Sequence, residues 1–275
     1  MPNQGKNATL RKMIDYHIHT IFCGHATGEL EDYVEKAREL GFKEIGFSDH
    51  FPLLNGWKPQ ITMVEEELPV YVEKILELNN HYSDIDIKLG IEVDYLPEYV
   101  EKTREILEKH PFDYVYGSIH YIRGWGFDNP DYRELWEEQN VTDVYLEYYS
   151  LLKEAISTGL FDIISHFDLV KKFGHRPQKD ISKETKRVIS LMKEQNMVLE
   201  VNTSGLRMPV EEVYPSEEIL SYSRKKSIPI VIGSDAHNPE DVGRDFDKAK
   251  KVLKRVGYKN TVTFKQRKIE NKIKL

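Results

Sequence analysis

The chain has a single cysteine, Cys23, in 275 residues. One thiol excludes an intramolecular disulfide framework and fits a reducing, cytoplasmic compartment. No apolar run approaches the roughly 20 residues of a membrane-spanning helix. The N-terminal MPNQGKNATLRKM lacks the apolar core of a secretory signal. Basic residues are outnumbered 39 to 46, for a formal charge of −7, so a nucleic-acid-binding face has little support. A glycine-rich dinucleotide fingerprint, an internal repeat and a linker-like shift in composition are also missing. A chain of this length without such a break is expected to form one domain over residues 1–275.

What is present is a regular alternation of short apolar runs and amphipathic stretches. Strands are expected at 14–18, 44–48, 87–91, 112–118, 161–165, 198–201 and 229–232. Helices are expected at 29–40, 62–80, 97–110, 142–158, 181–195, 216–226 and 239–256. Residues 261–264 read as a short closing strand, and the basic tail KQRKIENKIKL as a solvated helix. Segment 121–140, with Gly124, Gly126 and Asn129-Pro130, reads as a long loop of the kind that carries specificity. Seven β–α units argue for an α/β fold, a parallel sheet closed or nearly closed into a barrel, with an open doubly wound sheet as the alternative.

The chemistry gathers at the C-terminal ends of the expected strands. His17 and His19 are two residues apart, so an extended chain points both imidazoles to one face, where they can share a metal ion. His50, Glu92, His120, His166, Asp235 and His237 follow at later strand ends, and His25 lies just beyond the first. Seven of the ten histidines therefore fall where barrel sites assemble. So many ligands exceed the roughly four to six that one ion takes. Two or three metals are implied, with a bridging carboxylate. Such a pocket suits a phosphate ester and would ionise a bound water near neutral pH.

The motifs DYHIHT, FCGHA, FSDH, GIEVDY, GSIHY, ISHFD and GSDAH, in this order over residues 14–255, resemble the polymerase-and-histidinol-phosphatase (PHP) superfamily. FCGHA, GSIHY followed by GWGFD, and EVNTSGLR are similar to the monofunctional histidinol-phosphate phosphatases. The resemblance implies a distorted seven-stranded (β/α)7 barrel with three divalent ions of zinc, iron or manganese. His17, His19, Glu92 and Asp235 would hold the first ion. Glu92, His120 and His166 would hold the second, and His25, His50 and His237 the third. The implied activity is hydrolysis of L-histidinol phosphate in histidine biosynthesis by a multinuclear metal-hydroxide mechanism.

Asp235, Asp49 and His237 are the candidate catalytic groups, with Asp235 or Asp49 as proton donor or relay. Asp49 and Asp15 are alternatively carboxylates that orient ligand histidines. Arg207, and after it Arg123 and Arg244, are candidate phosphate clamps, because the guanidinium fork matches phosphate oxygens. Asn202 is a candidate substrate contact in the exit loop that also carries Arg207. Trp125, Phe127 and Asp128 are positioned to meet the imidazole and amine of the substrate, or else Trp125 and Phe127 simply pack the loop. Cys23 reads as a small packed residue. Two alternatives stay open: the same chemistry on another small phosphomonoester or a nucleotide, and a non-catalytic metal-stabilised binding module. A small-molecule phosphate ester is the expected partner, rather than nucleic acid or a membrane.

Overall fold

Parallel strands buried on both faces need nearly continuous apolar runs, and the runs above form them in the computed structural model, which describes residues 14–56 and 61–275. The N-terminal segment read for a secretory signal lies outside the described residues. In chain order the elements are β1 (Ile14–Asp15), α1 (Leu30–Leu40), β2 (Glu44–Phe47), α2 (Leu68–His81), β3 (Asp86–Asp94) and α3 (Val100–Leu107). Then come β4 (Tyr114–Ser118), β5 (Tyr121–Ile122), β6 (Trp125–Gly126), α4 (Val141–Ser157), β7 (Ile163–Ile164) and α5 (Ser182–Glu194). The last are β8 (Val198–Asn202), α6 (Glu217–Lys225), β9 (Ile230–Gly233), α7 (Phe246–Val256), β10 (Asn260–Lys265) and β11 (Lys268–Lys274). Helix α1 shows how locally the elements are specified. Asp32 accepts from the Glu29 amide at 2.9 Å, Leu30, Tyr33, Val34 and Ala37 are buried, and Gly41 ends the helix at φ 82°.

Seven strands form one parallel sheet in the order β1-β2-β3-β4-β7-β8-β9. The two edges meet: the Ala236 amide donates to the His17 carbonyl at 3.1 Å, and the His19 amide to the Ala236 carbonyl at 2.9 Å. The sheet is thereby nearly closed into a barrel, as expected. Its interior is filled by aromatic side chains. The Tyr16 and Tyr114 rings stack at 4.7 Å and Tyr116 meets Tyr114 edge-on at 5.5 Å. Gly46 and Gly90 make this possible, since a Cβ at either would collide with the Tyr114 ring. Tyr114 Oη donates to the Tyr16 carbonyl at 2.7 Å, so the buried hydroxyl is satisfied.

The basic tail is not helical. β11 pairs antiparallel with β10, and the hairpin packs Val262 and Phe264 against Tyr16 and Tyr114 at the N-terminal end of the barrel. The two-residue turn Gln266-Arg267 has φ 49° and 63°, the backbone of a type I′ hairpin. Arg267 then anchors it, its Nε donating to Asp162 at 2.8 Å. The turn lacks the Asn-Gly signature that would announce it, and its charge disguised a strand as a solvated helix. Two other spans differ. The 239–256 helix is broken: a 3-10 turn at Pro239–Asp241 precedes α7, with Gly243 and Asp245 at φ 65° and 62° between them. The expected loop at 121–140 contains the β5–β6 hairpin and a nine-residue 3-10 helix, Pro130–Glu138. Among the described residues no helix is long and apolar enough to cross a membrane.

Candidate metal centre

The strand ends converge on Glu92, at the end of β3 and 1% exposed. Its Oε2 lies 3.2 Å from His50 Nδ1, 3.3 Å from His17 Nε2 and 3.5 Å from His19 Nε2. Its Oε1 lies 2.9 Å from His166 Nε2 and 4.0 Å from His120 Nε2, and accepts from Ser118 Oγ at 2.6 Å. Asp235 Oδ1 closes the first group from β9, at 3.3 Å from His19 Nε2 and 3.7 Å from His17 Nε2. Asp235 is in the left-handed region at φ 56°, a conformation uncommon for residues other than glycine. His25 and His237 complete the cluster. Their ring centroids are 4.5 Å apart, and His237 lies 4.1 Å from His19. All nine sequence-derived ligand candidates therefore share one neighbourhood.

The packing of ring nitrogens is what a cation would organise. His17 Nε2 and His19 Nε2 are 3.0 Å apart, and His237 Nε2 is buried without a hydrogen-bond partner. Buried orphan nitrogens are costly unless something fills them. Ligand atoms of His17, His19 and Glu92, of His19, His50 and His237, and of His50, Asp94 and His120 lie close enough together to share an ion. The donor set, imidazole and carboxylate, fits zinc, iron or manganese.

The electrostatics pair charges without a metal. Burial opposes a charged His17, but Glu200, Glu92 and Asp235 outweigh it and hold its pKa well above the ordinary value. Burial is likewise overcome at His19 by Asp235 and Asp49, raising it to about 9, and at His120 by Asp94, raising it to about 10. Burial and the neighbouring His19 push His50 and His237 well below the ordinary imidazole value. Burial would raise Glu92 and Asp235, yet the imidazoles around them, His17 foremost, hold both carboxyls well below the usual range.

Several carboxylates hold the cluster from behind. Asp49, fully buried, accepts from the Thr20 amide at 3.0 Å and the His50 amide at 2.8 Å, and lies 3.5 Å from His19 Nδ1. Asp15 accepts from the Ser234 and Gly243 amides, both at 2.9 Å, and from the His17 amide at 3.3 Å, so it holds His17 through its backbone. Burial raises its pKa to about 6. Asn202 is fully buried. Its Nδ2 donates to Glu200 and to Asp235, both at 3.2 Å, so it braces carboxylates instead of reaching for substrate. Two groups escaped the sequence reading. Asp94 lies 2.9 Å from His120 Nδ1, and Glu200 lies 2.6 Å from His17 Nδ1. A charged residue inside the apolar strand VLEV is itself a signal, because buried charges are almost always paired.

Among the candidate phosphate clamps, Arg207 reaches the backbone beside the cluster. Its guanidinium donates to the Ser234 carbonyl at 2.8 Å, next to Asp235, and it is 15% exposed. Arg123 is turned to Glu147 at 2.9 Å and Arg244 to Asp241, both on the exposed surface. In the 121–140 segment Phe127 is buried and Trp125 packs edge-on against Trp136 at 5.1 Å. Asp128 pairs with Lys172 at 3.0 Å, both partly exposed. Cys23 is buried, and burial raises its pKa to about 12, which leaves a thiol donating to the Thr20 carbonyl.

Residues 15–204 match the family described as PHP domain, and residues 216–245 match a second described as PHP-associated. A Deinococcus radiodurans protein described as "probable histidinol-phosphatase" is 37% identical over 259 residues, covering 94% of this chain and 98% of that one. The Bacillus subtilis histidinol-phosphatase is 31% identical over 262 residues, covering 85% and 96%. A solved histidinol phosphate phosphatase from Lactococcus lactis, complexed with zinc, L-histidinol and phosphate, superposes with a TM-score of 0.81 at 21% identity, over 94% of this chain and 99% of that one. At that identity the likeness is one of fold.

Proposed function

The chain belongs to the PHP domain family, and from that membership and the geometry at the barrel mouth we propose that it is a metal-dependent phosphomonoesterase. It hydrolyses L-histidinol phosphate to L-histidinol and phosphate, a step of histidine biosynthesis. The observation that carries this reading is the convergence of seven imidazoles, Glu92 and Asp235 at the barrel mouth, with His237 Nε2 buried and unpaired among them. Its full-length similarity to histidinol-phosphatases supplies the substrate. One apolar cluster packs the helices onto the sheet from α1 to α7, and a smaller one fills the barrel interior, which supports reading the chain as a single domain.

In this reading His17, His19, Glu92 and Asp235 hold one ion. Glu92, His120 and His166 hold a second, and His25, His50 and His237 a third. Divalent ions there would lower the pKa of water and neutralise phosphate oxygens. The remaining work falls to side chains. Asp235 is 16% exposed, against 1% for Glu92 and complete burial of Asp49, so Asp235 is the carboxylate able to pass a proton at the mouth. Asp49 orients Thr20, His50 and His19. Arg207, at the exit of β8, binds phosphate by giving up its contact with the Ser234 carbonyl. Asp128 takes the ammonium of the substrate in exchange for Lys172.

The test is phosphate release and metal content in parallel. Protein stripped with a chelator should lose hydrolysis and regain it with zinc or manganese. A His120→Ala variant should stay folded and lose most activity. Full activity in that variant, or in stripped protein, would overturn the reading.

A further inference from the structure

Glu200 is a fully buried carboxylate in the middle of β8, and none of the roles above uses it. Its two oxygens are divided between two parts of the cluster. Oε1 lies 2.6 Å from His17 Nδ1, while His17 Nε2 faces Glu92 at 3.3 Å. Oε2 accepts from the His166 amide at 2.8 Å and from Asn202 Nδ2 at 3.2 Å. That same Nδ2 donates to Asp235 Oδ2, also at 3.2 Å. One carboxylate thus reaches a first-ion histidine directly, a second-ion histidine through its backbone, and Asp235 through one amide.

The barrel is shaped around this contact. Gly233, on the neighbouring strand β9, stands where a Cβ would overlap both Glu200 Oε1 and His17 Cβ. An ionised carboxylate only accepts hydrogen bonds. Facing Nδ1, it keeps the proton on that nitrogen and leaves the lone pair of Nε2 directed into the cluster.

We infer that Glu200 is a positioning residue that fixes the tautomer of His17 and the backbone of His166 together, so that the first and second metal sites are assembled as one unit. The inference rests on the reading of His17 and His166 as ligands. No hydrogen bond of Glu200 reaches the third group: His25 bonds the Cys23 carbonyl, His237 the Asp235 carbonyl, and the His50 amide donates to Asp49.

Glu200→Gln is the informative change because it keeps the shape. A glutamine offers one acceptor and one donor, yet all three groups around Glu200 require an acceptor. Either it presents N–H to the His166 and Asn202 donors, or it presents N–H to His17 Nδ1 and forces the wrong tautomer. Zinc affinity, measured by chelator competition on purified protein, should fall about 10–100-fold for two of the three ions, the range for loss of a group supporting a ligand. The third ion should bind as in the wild type, and excess zinc should restore turnover. Wild-type affinity for all three ions in Glu200→Gln would overturn the inference and leave the metal site standing. Equal weakening of all three would also overturn it, as the mark of a general structural role. A wild type that binds no zinc would overturn the reading of the site, and this inference with it.

If the variant does not fold, the wild type gives the answer. The ¹⁵N spectrum of zinc-loaded protein, with His17 assigned by comparison with His17→Gln, should show a protonated Nδ1. An unprotonated Nδ1 would overturn the inference.

Discussion

Replacing Glu92 by glutamine removes the charge that faces five of the seven imidazoles. The nearest four nitrogens are those of His166 at 2.9 Å, His50 at 3.2 Å, His17 at 3.3 Å and His19 at 3.5 Å. Breaking a buried charge pair from one side costs about 3–5 kcal/mol. At ~2–4 °C per kcal/mol for a chain of this size, stripped protein should melt about 6–20 °C lower. The sign of the pH dependence follows from His17, which Glu200, Glu92 and Asp235 hold well above the ordinary imidazole value against the burial that opposes its charge. A raised imidazole contributes stability that is fully present below its unfolded value, near 6.5, and is lost as pH rises through the raised one. Glu92→Gln should therefore be most damaging near pH 6 and fade at alkaline pH. In loaded protein the loss of a bridging ligand should remove several kcal/mol of transition-state stabilisation. At tenfold per 1.36 kcal/mol, that is about 10³-fold or more in kcat/KM. Calorimetry of stripped protein, metal analysis and phosphate release are the assays. A variant with wild-type metal content and kcat/KM within about tenfold would refute the reasoning.

Arg207→Ala should lower kcat/KM by about 10–100-fold, as expected for a charge-assisted contact of ~1.5–3 kcal/mol. Metal content should not change, and unaltered kinetics would remove Arg207 from the phosphate site. Asp128→Asn should weaken turnover of L-histidinol phosphate while sparing an aryl phosphate that carries no ammonium; equal losses on both would show that the pair with Lys172 is only structural. At the other end of the barrel, burial raises the Glu44 pKa to about 7. Its ionisation therefore opposes folding: the stability it contributes is fully present below about pH 4.5 and is lost as pH rises through about 7. Glu44→Gln should flatten that part of the stability profile in urea titrations, and an unchanged profile would contradict the assignment.

The fold and the cluster of candidate ligands were legible for the same reason. A barrel strand buried on both faces reads as an apolar run, and a histidine or carboxylate just past its end stands out. Ile14–Asp15 followed by His17 and His19, and Ile230–Gly233 followed by Asp235 and His237, are visible without coordinates. The supporting shell was less so. Glu200 and Asp94 sit inside strands, where their partners come from other strands, His17 from β1's exit and His120 from β4's. Asn202 looked free to meet substrate because sequence does not reveal that Glu200 and Asp235 already engage its amide. The tail was misjudged because its lysines drew attention to charge, because Ile269 and Ile273 are four apart, a spacing that suits one face of a helix as well as of a strand, and because the Gln266-Arg267 turn carries no glycine.

The most direct test of the central claim compares substrates on metal-replete protein. Phosphate release from L-histidinol phosphate should exceed release from an aryl phosphate, a sugar phosphate and a dinucleotide by at least about tenfold in kcat/KM, a preference of 1.36 kcal/mol or more. Comparable slow rates on all four would contradict the assignment to histidinol phosphate, and no release from any would contradict phosphoester hydrolysis itself.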